Sequence, residues 1–89
     1  MNETIVTHCL ALWHMHTGNM HQSDKDFFDA HVTTVTKNTR DEFVAAQELI
    51  TARLHEYGHE YDEAIRVAQE LVRTYAQRFG IRTEELQVA

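Results

Sequence analysis

In eighty-nine residues there is no proline, and glycine occurs only at positions 18, 58 and 80. Proline and glycine are the strongest breaks in helical structure, so a chain this poor in both has few places to stop a helix. Between the glycines, apolar side chains recur every three or four residues, the period of a helix with one buried stripe. The pattern predicts an all-α fold. One domain over 1–89 forms a small four-helix bundle, with a break or kink at Gly58 and a short C-terminal helical turn. A chain of this length buries little more than half of the surface it exposes when unfolded. Help is therefore expected from a partner chain, a metal or very regular helices.

The four segments fall at 3–16, 24–37, 40–57 and 61–79. In the first, Ile5, Cys9 and Leu12 share a stripe, with Val6, Leu10 and Trp13 beside it. Gly18 stands where a left-handed residue closes a helix. Ser23 is the expected cap of the second helix, and its face carries Phe28, His31, Val32 and Val35. Thr39-Arg40-Asp41-Glu42 reads as a capping box for the third. Phe43, Ala46, Leu49, Ile50, Leu54 and Tyr57 follow, and the fourth helix carries Ala64, Val67, Ala68, Leu71, Val72, Tyr75 and Phe79. Thr83 caps the last short turn.

Gly58 leaves two architectures open. A 4–3 stripe from Phe43 through Ile50, Leu54, Tyr57, Tyr61, Ala64 and Ala68 to Tyr75 runs through the glycine in phase. A mid-helix glycine costs only about 1 kcal/mol. One helix of roughly 40 residues and about 60 Å is thus conceivable. A monomer this small could not cover it, so a homodimer or larger oligomer would follow. The other architecture is a hairpin turning at 58–61 with Asp62 capping the fourth helix. It is favoured because glycine at the end of a periodic run is commonly a stop.

Charge narrows the function classes. Eight Lys and Arg stand against fourteen Asp and Glu, for a formal charge of −6. Neither half of the chain is basic, so the electrostatic attraction behind non-specific nucleic-acid binding is missing. Anionic membranes are disfavoured for the same reason. An acidic surface suits docking on a basic partner. The longest apolar run, Cys9 to Trp13, is too short to span a bilayer, and the Met-Asn-Glu-Thr start has none of the marks of a signal peptide. A cytoplasmic location is expected. The single cysteine excludes an internal disulfide framework, and its place on the apolar stripe predicts an inert buried thiol.

Seven histidines are the other unusual count. His55-Glu56-Tyr57-Gly58-His59 spells H-E-x-x-H. On a continuous helix that spacing puts two imidazoles on one face, able to share a zinc ion, with the glutamate as a base. These five residues resemble the zinc-peptidase motif, which implies His55 and His59 as metal ligands. That family sets its helix beside a sheet, and no strand is legible here. A metal site without hydrolysis is therefore the closer expectation, with Asp62 or Glu63 completing the shell. His14, His16 and His21 cluster around the first loop. Ala76-Gln77-Arg78-Phe79-Gly80-Ile81-Arg82-Thr83-Glu84-Glu85-Leu86 resembles the turn of a helix-turn-helix DNA-binding unit. Glu84 and Glu85, however, would meet phosphate with like charge.

No acid–base–nucleophile arrangement is legible, so no catalytic residue and no resident cofactor are assigned. The function expected is protein–protein interaction: an adaptor, inhibitor or assembly subunit that self-associates as a homodimer or larger oligomer and whose further partner is a basic protein. Zinc binding through His55 and His59 is the alternative, and a helix-turn-helix-like regulator comes third. Any exposed aromatic among Trp13, Phe27, Phe28, Tyr57, Tyr61 and Tyr75 is the natural interface anchor.

Overall fold

Apolar stripes need neighbours to cover them. In the computed structural model, which describes residues 2–39, 41–78 and 80, four helices cover one another. They are α1 (Asn2–Thr17), α2 (Gln22–Thr36), α3 (Glu42–Glu56) and α4 (Tyr61–Arg78). The chain is therefore an all-α four-helix domain, and no strand occurs among the described residues. None of these helices is long and apolar enough to cross a membrane. The turn expected at Thr83, and the part of the helix-turn-helix resemblance from Ile81 onward, lie outside the described residues.

α1 and α3 form the centre, each packing against the other three helices. α1 buries Ile5, Val6, Cys9, Leu12 and Trp13, and α2 adds Phe28 and Val32. Ala45, Ala46, Leu49, Ile50 and Leu54 come from α3. α4 contributes Ala64, Ala68, Val72 and Ala76, a row four residues apart that is alanine at all but one position. Small side chains along one row let two helix axes approach closely. Larger residues of α4 beside that row, Val67, Leu71 and Tyr75, close the seam from its flanks.

The structure corrects the sequence expectations in three places. α3 is capped by Asp41, not Thr39: Asp41 Oδ1 accepts from the amides of Phe43 at 2.8 Å and Val44 at 3.2 Å. Aspartate caps at least as well as threonine, and the later start makes Glu42 the first helical residue, too early to reach back as in a capping box. Glu42 meets His8 Nε2 instead, at 3.6 Å. α2 begins before Ser23, with His21 at the cap position and no side-chain cap bond. His31 lies outside the buried face. The stripe of α2 runs through Asp24, Phe28 and Val32, which leaves residue 31 on the flank, exposed, its ring stacked on Phe27 at 4.3 Å.

At Gly58 the helix stops. Tyr57 is the last half-helical residue, and Gly58 takes φ +100°. Its amide donates to the His55 carbonyl at 3.0 Å, and the His59 amide reaches back to the Leu54 carbonyl at 3.2 Å. These two bonds are the Schellman closure, which satisfies carbonyls that a terminating helix leaves open. The long stripe folds back on itself: Ile50 and Leu54 on one arm and Ala64 and Ala68 on the other are all buried in one core. The described residues measure 30 × 24 × 23 Å, half the length that an unbroken helix would need. The stripe therefore makes no demand for a second copy of the chain.

Two outcomes follow. Gly58→Ala adds a Cβ that meets open space, so only the left-handed backbone resists it. It should cost about 1–2 kcal/mol, read as a thermal midpoint lower by several degrees with the far-ultraviolet spectrum unchanged. Cys9 is fully buried with its thiol 4.0 Å from the Ala46 carbonyl, and burial pushes its pKa well above the ordinary thiol value. The thiolate, which is the reactive form, is scarce. A disulfide-exchange reagent should leave Cys9 untouched in the folded protein and modify it promptly in urea.

Candidate functional site

Consecutive helices joined by short loops run antiparallel, so the first and third loops of a four-helix chain share one end. Here residues 18–21 and 57–60 border a common cleft of about 320 Å³. Trp13, His16 and Thr17 enter it from the last turns of α1, and Asn19 and His21 from the first loop. Asp24 of α2 and Leu54 of α3 lie on its wall, and Tyr57 and His59 belong to the second loop. The chain reaches this end through two glycine stops. The Gly18 amide, at φ +77°, closes α1 on the His14 carbonyl at 2.7 Å, and the Gly58 closure turns α3.

Asp24 is the unusual member. It sits in the first turn of α2, where the helix dipole favours negative charge, yet it is fully buried. Its partner is Arg53 of α3, twenty-nine positions along the chain. Arg53 Nε and Nη2 both donate to the same oxygen, Oδ1, at 3.0 and 2.8 Å. The Tyr57 hydroxyl accepts from Nη2 at 3.1 Å and stands 3.5 Å from Oδ1. The guanidinium carbon stands over two rings, 4.7 Å from the centroids of both Phe27 and Tyr57. Tyr57 in turn stacks on Trp13, with ring centres 5.6 Å apart. Arginine suits such a place because its flat, weakly hydrated cation stacks on aromatic rings while its N–H groups bind a carboxylate. The second carboxylate oxygen, Oδ2, is buried and has no hydrogen-bond partner among the described residues.

The histidines distribute differently from the zinc expectation. His55 lies in the last turn of α3 and His59 in the loop beyond, so the helix break separates the two positions that the motif would put on one face. His55 Nδ1 meets the His59 carbonyl at 3.1 Å, and His59 Nδ1 meets Glu63 at 3.3 Å. Among the described residues, no group of three or more His, Cys, Asp and Glu side chains is placed to hold a metal ion. Of the first-loop histidines, His16 and His21 border the cleft, together with His59. His8, which no motif singled out, is packed at the α1–α3–α4 seam, stacked on Phe43 at 4.5 Å with its Nδ1 buried and unpartnered.

The sequence by itself assigns no site role to Asp24 or Arg53, and the bridge between them appears only in the structure. A signal was there. Asp24 stands four residues before Phe28 and eight before Val32, and Arg53 three after Ile50 and four after Leu49. Each charged residue occupies the apolar stripe of its own helix, and two opposite charges on facing stripes are a pair in waiting.

Removing one partner of a buried ion pair strands the other charge, so Arg53→Met should cost about 3–5 kcal/mol in urea unfolding. Replacing both, Asp24→Leu with Arg53→Met, should recover most of that loss, because two apolar groups need no solvation. A double variant as unstable as the single one would show that the bridge is not what sets the cost. No protein-family model matches this chain, and no curated protein or solved structure is similar to it, so the chemistry of this end follows from its own side chains alone.

Proposed function

We propose that this protein is a protein–protein interaction module that docks a basic partner on the end of the bundle carrying the 18–21 and 57–60 loops. One observation carries the reading. The large hydrophobic side chains most exposed among the described residues, Met20 at 58%, Tyr57 at 58% and Tyr61 at 57%, all lie in or beside those two loops. Exposed aromatics and methionine gathered at one place are the composition of an interface centre rather than of a solvated surface.

Charge chooses the partner. Glu56, Glu60, Asp62 and Glu63 are exposed around the second loop. Residues 1–24 contain no Lys or Arg, and neither does the stretch from 54 to 65. Lys25, in the first turn of α2 beside the first loop, is half-exposed and paired with Asp29 at 3.0 Å, and the exposed charge around the second loop is acidic. A basic surface would be attracted and oriented by it, whereas a second copy would present like charge.

The reading is tested by affinity capture from native cells with three baits of verified helicity: wild type, Met20→Ser with Tyr61→Ala, and Glu56→Lys with Glu60→Lys. The expected result is a retained protein that elutes with rising salt and that both variants lose at least tenfold, the scale of one or two interface anchors. The same proteins held equally by all three baits would overturn it. Mass in solution by light scattering, constant across concentration, is expected alongside.

A further inference from the structure

We infer that mild acid releases the basic partner from this end of the bundle, with His16, His21, His55 and His59 as the groups that take up the protons. The inference rests on the docking surface proposed above and adds how that surface is regulated.

The histidines are not spread evenly over the chain. His16 and His21 border the cleft from the side of the first loop, His59 borders it from the second, and His55 stands beside them in the last turn of α3. His14 adds another exposed imidazole in the last turn of α1. Of the seven, His8 and His31 lie away from these loops. His16, His21 and His55 are exposed, and the His59 side chain keeps 35% of its surface open. Imidazoles so placed take a proton without giving up hydration. Their bonds also leave a nitrogen to receive it. His55 Nδ1 stands 3.1 Å from the His59 carbonyl, which can only accept. Nδ1 therefore carries the hydrogen of the neutral ring, and Nε2 is left to protonate. His59 Nδ1 faces a Glu63 carboxylate oxygen at 3.3 Å in the same sense.

The surrounding charges set the sign of the effect. Glu56, Glu60, Asp62 and Glu63 are exposed around the second loop, with the phenols of Tyr57 and Tyr61 beside them. Asp24, on the cleft wall, is already bound by Arg53. On α2, Lys25 pairs with Asp29 at 3.0 Å and Asp26 accepts from Gln22 at 2.9 Å. Between pH 7.5 and 5.5 carboxylates, phenols, lysine and arginine ordinarily keep their charge, and imidazole, with a reference pKa of about 6.5, changes its own. Four imidazolium charges offset the four carboxylates that attract a basic surface. Protonated His59 also draws Glu63 into an ion pair, which withdraws that carboxylate from the partner. Linkage is reciprocal: if protons expel the partner, the partner expels protons.

A capped octalysine peptide serves as the basic probe, titrated into the full-length chain at low salt with helicity verified at each pH. Its Kd should be at least about fivefold weaker at pH 5.5 than at pH 7.5. At pH 6.5 the heat of binding should depend on the ionisation enthalpy of the buffer in the direction of proton release. Replacing all four, His16→Gln, His21→Gln, His55→Gln and His59→Gln, should bring the ratio between the two pH values to within about twofold of unity. His55→Gln and His59→Gln singly should each lower it part of the way. His31→Gln, on α2 away from the loops, should keep the wild-type ratio.

Equal affinity at the two pH values in the wild type, a ratio that survives the four replacements, or one that His31→Gln removes would each overturn the inference. So would the absence of octalysine binding at pH 7.5, since the acidic charge of this end would then attract no basic chain. Capture of a cellular protein that depends on Met20 and Tyr61 and holds equally at pH 7.5 and 5.5 would leave the docking surface standing and remove the switch. Octalysine released by acid through the four histidines, without such capture, would keep the switch and remove the docking surface.

Discussion

A carboxylate and a guanidinium held together out of water tie α2 to α3, and much of the structure is arranged around making that tolerable. Desolvating two charges costs several kcal/mol for each ion, and attraction repays this only with good geometry and additional hydrogen bonds. Arg53 receives that treatment: two short bonds to Asp24, a tyrosine hydroxyl, and two aromatic rings at the same distance. Asp24 does not, because one of its oxygens is left without a donor. The asymmetry matters. One satisfied oxygen fixes the carboxylate in place, and the other stays enclosed and costs part of what the bridge gains.

The same end of the molecule concentrates most of what is chemically distinctive in the chain. The two glycine closures bring the first and third loops together. Tyr57 belongs to both worlds: its hydroxyl supports Arg53 and its ring packs on buried Trp13, yet more than half of the residue remains open to solvent. An anchor that is already held by the core loses little freedom on binding a partner, which is the physical advantage of preorganisation. Lys25 with Asp29, beside the first loop, and Arg73 with Glu70, along α4, are exposed pairs one helical turn apart, each worth tenths of a kcal/mol.

The folding back of the 43–75 stripe changes how the chain meets its need for burial. A short chain can find extra covering area in a second copy or within itself. Here an alanine row on α4 lets helices pack closely, and one chain builds a core from seventeen buried apolar residues among those described. Trp13, Phe28 and Leu12 supply the bulk that the alanines do not. The H-E-x-x-H stretch is caught in the same turn. Its glycine is the residue that ends the helix, so the spacing that would align two imidazoles on a continuous helix is broken within the motif itself.

Read by itself, the amino-acid order determined the four helices, most of their buried stripes and the stop at Gly18, and at Gly58 it favoured a stop over a continuous helix. These features are local: a stripe is a spacing of three or four residues, and a left-handed stop is a property of one residue and its neighbours. It also located Cys9 in the core, because an apolar stripe on both sides of a thiol leaves it no other place. Smaller shifts, such as the cap at Asp41 rather than Thr39, arose where two good capping residues compete within two positions. The Asp24–Arg53 bridge, the cleft beside it and the meeting of Met20 with Tyr57 and Tyr61 at one end were decided only by tertiary structure. Periodicity states which face of a helix is buried, not which helix will cover it or at what height. A charge on a buried face becomes a bridge, or an orphan, only when packing brings a particular atom of another helix within three ångströms.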